Sequence, residues 1–159
     1  MKFDPLHDYS NTDLSAEDNL ILWKFGELIK TLITLAAAPD RQAEINGFGV
    51  IADDILSDFD SYFKLSHTSY IIHKLLTPEQ YTSLDELDRF LESQNNSSPE
   101  LWENEALYTH PFWETVRQKA ATILEMLGME DIDIAWERKE EQGRQLLVQS
   151  TRTRLVRRN

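Results

Sequence analysis

The chain has no cysteine, and only five glycines and five prolines among its 159 residues. Without thiols there is no disulfide scaffold, no thiolate metal site and no cysteine nucleophile. So few turn residues argue against an all-β protein of this length, which needs frequent tight turns, and favour helix. Long hydrophobic runs are missing too. The most apolar stretch, 20–38, is broken by Lys24, Glu27 and Lys30, so it is not expected to cross a membrane. The first residues, MKFDPLHDYSNTDLS, are polar and carry no apolar segment of the secretory kind. A cytoplasmic protein is the expectation.

Positive charge is also in short supply. Sixteen Lys and Arg face 28 Asp and Glu, a net charge of −12. A field of that sign repels nucleic acid and anionic membranes and attracts basic partners. The charge is uneven. Residues 138–159 hold seven Lys or Arg and two Glu, a net of +5, and the rest of the chain carries −17. The hydrophobic content of 41% is ordinary for a globular protein. The length suits one domain over 1–159 with a buried core.

Known catalytic and ligand motifs are absent as well. There is no HExxH, no GxSxG, no GxxxxGK[ST] and no GxGxxG. The histidines, His7, His67, His73 and His110, have neither a Glu three residues before them nor a common helical face. No catalytic residue, metal ligand or cofactor is expected from these spacings.

What is present is helical periodicity. Ser15 with Asp18 reads as an N-terminal cap. Ile21, Phe25, Leu28, Ile29, Leu32, Ile33 and Ala36 then share one stripe up to Pro39. Trp23 falls off that stripe, beside Glu27, Lys30 and Thr34. A second helix is expected over about 40–65, weakened near Gly47 and Gly49. Its later part, DDILSDFDSYFKLSH, divides on a helical wheel. Phe48, Ile51, Ala52, Ile55, Leu56, Phe59, Tyr62 and Phe63 point inward. Asp53, Asp54, Asp58 and Asp60 point outward.

The stretch HTSYIIHKLL reads as a short helix. Another follows, starting either at Thr77 with Pro78 or at Ser83 with Glu86. SQNNSSP reads as a loop. SPELWENEAL suggests one or two helical turns, and a last helix runs from Pro111 to Gly128.

Beyond Gly128 the pattern alternates. DIDIAW and LLVQSTRTRLV carry strand periodicity and β-branched residues. A hairpin turning at Gln142–Gly143 would set Asp133 against Arg152 and Asp131 against Arg154. The expected fold is therefore mainly α: a compact bundle of about four to six helices over 15–128, with a C-terminal β-hairpin over 130–157 (α+β).

These features point first to a non-catalytic interaction protein that binds a basic protein partner. Asp53, Asp54, Asp58 and Asp60 would steer the encounter and Trp23 would anchor it. In general character the chain is similar to small acidic bacterial proteins of the immunity or inhibitor type, although no motif is shared. One alternative is an enzyme or small-ligand binder with a site between helices. Another is an accessory protein touching nucleic acid through Arg152, Arg154, Arg157 and Arg158.

Overall fold

The computed structural model describes residues 1–47, 49–94 and 99–159, with backbone alone for Leu147 and Val148. Its centre is α1 (Glu17–Ala36), which packs chiefly against α7 (Pro111–Met126) and also meets α3 (Ile51–Phe59) and the C-terminal hairpin. Leu28, Ile29, Leu32 and Leu35 are fully buried. Even the polar flank is covered at Thr31 and Thr34, whose hydroxyls donate to the carbonyls of Glu27 and Lys30 one turn back. Ser15 does not cap this helix. Its amide and hydroxyl both turn back to the Asp13 carboxylate, and Ala16 takes the cap position.

The expected second helix is two. α2 (Pro39–Asn46) ends where Gly47 adopts φ +76°, and Gly49 follows at φ +108°. Those left-handed conformations suit residues without a Cβ. Phe48, assigned to the inner face, lies outside the described residues. α3 runs straight into a π-helical turn (Asp60–Lys64), closed by the Leu65 amide on the Asp60 carbonyl at 3.0 Å. α4 (His67–Ile72) and α5 (Pro78–Glu92) follow. Of the two starts open to α5, Thr77 is the one used, in a reciprocal capping box with Gln80. Most of the expected loop, 95–98, also lies outside the described residues. A 3-10 turn (Pro99–Trp102) and α6 (Ala106–Thr109) lead into α7. The bundle therefore holds seven α-helices among the described residues, several of them one or two turns long.

The hairpin joins β1 (Ile132–Gln142) to β2 (Leu147–Arg157), antiparallel. Its register corrects the expected one. Asp133 stands opposite Val156, Arg154 opposite Ala135 and Arg152 opposite Glu137, with residues 143–146 left to make the turn. The slide of four residues is even, so every side chain keeps its face. Burial decides between the two alignments. The observed one sets Leu155 beside buried Ile134. The other would put Thr151 there in exchange for ion pairs worth about 0.2–1 kcal/mol each.

Three side chains tie the hairpin to the helices. Arg41 donates to the Ile134 carbonyl at 2.7 Å, and Lys30 to the Thr153 carbonyl at 3.1 Å. Arg138 donates to the Ile45 carbonyl at 3.0 Å while its guanidinium lies 4.5 Å from the centre of the Trp136 ring. Among the described residues no helix is long and apolar enough to cross a membrane.

Candidate interaction surface

All four aspartates of α3 and the turn after it are exposed, and Phe59 and Phe63 are buried. The aspartates do not form one cluster. Asp53 and Asp54 occupy the first turn of α3, where the helix dipole favours a negative charge. Asp60 sits on the α5 side, close enough to Asp88 to disfavour its ionisation. Lys64 joins that group through ion pairs with Glu92 and, at 3.9 Å, with Asp88. Burial raises the Asp88 carboxyl above its usual range, and Lys64 opposes the rise.

Asp58 points the other way, toward α1. Its side chain reaches solvent, but the protein packed around it removes part of its water; that desolvation raises its carboxyl above the ordinary value of 3.8, and the charges of Glu27 and Asp54 add to the rise. Glu27 is bound to Lys30 at 2.8 Å. Asp54 accepts a hydrogen bond from the Asn46 side-chain amide at 2.9 Å. Neither Asp54 nor Asp58 has an ion pair among the described residues. Three carboxylates from two helices thus converge, with one lysine among them.

Trp23 stands beside this group. It is half-buried, and its ring meets Tyr62 edge to face, with centroids 5.8 Å apart and planes at 87°. Tyr62 departs from the simple wheel, which turned it inward: it is half-buried. The π-helical turn winds an extra residue into that turn and re-aims the side chains it carries. Burial raises the Tyr62 hydroxyl, and Glu27 and Asp58 add to the shift, so the ring shares the acidic field. No family model, curated protein or solved structure matches this chain.

The structure therefore joins Trp23, Asp54 and Asp58 with two residues that were not among the expected binding residues, Glu27 and Tyr62. Glu27 was legible: it lies four residues after Trp23, one turn along the same helix face. Tyr62 was not, because the π-helical turn has no signal in the hydrophobic pattern.

The basic C-terminus is strand rather than free arm. Arg157 pairs with Asp131, and Arg152 reaches Asp8 at 3.7 Å. Arg154 lines a cleft against α1, and Arg158 is exposed at the strand end.

The geometry carries a pH prediction. Asp58 binds its proton more tightly in the folded chain than in the unfolded one. Ionising it therefore costs folding free energy above its folded pKa, and costs nothing below about pH 3.8. Asp58→Asn is expected to raise stability at pH 7 by a few tenths of a kcal/mol, the usual size of a like-charge pair one turn apart on a helix. That gain should fade as the pH falls toward 4. Urea melts of both proteins at pH 7 and pH 4 check it, and an equal or opposite difference at the two pH values would count against the crowding.

Proposed function

We propose that the protein is a non-catalytic interaction protein that binds a basic protein partner through the surface of Trp23, Glu27, Asp54, Asp58 and Tyr62. The observation that carries this reading is the convergence of the three carboxylates beside a half-buried aromatic pair, with Asp54 and Asp58 unmatched by a cation. A lysine or arginine from outside would supply the missing charge and could lie against the rings. Long-range attraction would speed the encounter, and burial of Trp23 would hold the complex. An inhibitor or immunity protein that blocks a basic target is the concrete form of this proposal.

An arginine-rich peptide serves as a probe, with a glutamate-rich peptide of the same length as control. Titration calorimetry is expected to give binding of the first only, weakening as salt is raised. In the Asp54→Asn, Asp58→Asn double variant the dissociation constant should rise roughly tenfold, from two exposed pairs at up to about 1 kcal/mol each. Unchanged affinity in that variant would sink the reading.

A further inference from the structure

A cleft of about 270 Å³ opens beside this surface, between α1, β2 and the N-terminal segment. Trp23, Gly26, Glu27 and Lys30 form one wall, and Arg154 and Leu155 the facing one. Residues 5–9 close the end with Phe3, whose ring lies where a Cβ on Gly26 would touch it at 3.6 Å. Two of the lining residues, Trp23 and Glu27, also belong to the acidic surface, so cleft and surface are continuous.

The β2 wall is a sheet edge. The hairpin has two strands, so alternate residues of each strand turn their amide and carbonyl away from the other. The register shows which ones. Outside groups reach Ile134 at both backbone positions: its carbonyl accepts from Arg41 and its amide donates to the Asp133 side chain. Ile134 therefore faces outward, and so does its partner Leu155. Thr153, two residues away, also faces outward, and its carbonyl is taken by Lys30. Leu155 lines the cleft, and nothing in the described structure bonds to its amide or its carbonyl. Arg154 beside it has no ion pair among the described residues.

An unpaired strand edge across from a helix is the geometry that takes an extended peptide as an added strand. The size of the cleft agrees. It falls just below the range of roughly 300–1,000 Å³ typical of small-molecule pockets, and suits one anchoring residue of a longer segment. We propose that the partner enters as an extended segment that pairs with Leu155 at the edge of β2, seats an apolar side chain between Trp23 and Phe3, and lays flanking basic residues on Glu27, Asp54 and Asp58. The basic character of the segment rests on the function proposed above; the strand pairing rests on the edge itself. Continuing the ladder past Leu155 would require Lys30 to release the Thr153 carbonyl, so the pairing centres on one residue.

The test uses the intact protein and an acetylated hexapeptide alternating arginine with leucine and phenylalanine. Two further versions carry N-methyl groups on alternate residues, so that each removes the amide donors of one edge of the peptide strand. One of them is expected to bind at least tenfold more weakly than the parent. The Leu155 amide resonance should shift with the parent peptide and become protected from hydrogen exchange.

If both methylated versions bind like the parent and the Asp54→Asn, Asp58→Asn variant still weakens binding, the strand pairing is overturned and the acidic surface stands. If methylation weakens binding but the variant does not, the pairing holds and the charge reading falls. Absence of binding by all three peptides overturns both.

Discussion

Removal of residues 145–159 is expected to destroy the cooperative thermal unfolding of the protein. The deletion takes away β2, and with it Leu155, which packs on the core beside Ile134. It also strips the ladder from β1, whose Ile132 and Ile134 are 2% and 3% exposed. Covering an isoleucine of that kind is worth about 1.5–3 kcal/mol. Uncovering two consumes much of the 5–15 kcal/mol that holds a typical domain. The Lys30 bond to Thr153 and the Asp8 pair with Arg152 go as well. Circular dichroism of the truncated chain should show a broad, early melt or an insoluble product. A sharp transition at the temperature of the full chain would mean that the hairpin is an appendage, and that the cleft against α1 lacks a structural wall.

Phe59→Ala is expected to cost roughly 3–5 kcal/mol, the usual loss for a buried ring. Phe59 is 1% exposed, and its ring stacks on Phe63 with centroids 5.3 Å apart. Asp58 next to it lies on the outer face, and replacing it by asparagine should raise stability slightly at pH 7. Side chains that hold the fold and side chains offered to a partner alternate along one helix, and urea denaturation separates them. A Phe59→Ala protein as stable as the parent would remove the assignment of α3's inner face. That assignment also positions Asp58 toward Glu27.

Much of this could be read from residue order. The stripe of α1, the weak point at Gly47 and Gly49, the two candidate starts of α5 and the presence of the hairpin all follow from periodicity and local backbone chemistry, which act within a few residues. Two local readings failed as well: Ser15 turns back to Asp13 instead of capping α1, and the single helix expected over 40–65 ends at Gly47. The other failures depended on packing. The hairpin register follows from Leu155 finding the core beside Ile134, and charge matching between the strands pointed elsewhere. Tyr62 depends on a π-helical turn that leaves the apolar pattern unchanged.

Of the candidate surface, Trp23, Asp54 and Asp58 were visible as an off-stripe tryptophan and an acidic helix face. That they meet needed the packing of α3 against α1, and that Asp60 turns instead to the group around Lys64 and Asp88 needed the approach of the π-helical turn to α5. Glu27 was seen as a neighbour of Trp23, but its approach to Asp58 joins residues 31 positions apart.

Nuclear magnetic resonance mapping of an arginine-rich peptide on the ¹⁵N-labelled protein tests the central proposal most directly. The largest shifts are expected on Trp23, including its indole N–H, and on Glu27, Asp54, Asp58 and Tyr62, with Asp53 and the group around Lys64 and Asp88 little changed. Shifts spread evenly over all the acidic residues, or centred on α5 with Trp23 unmoved, would contradict it.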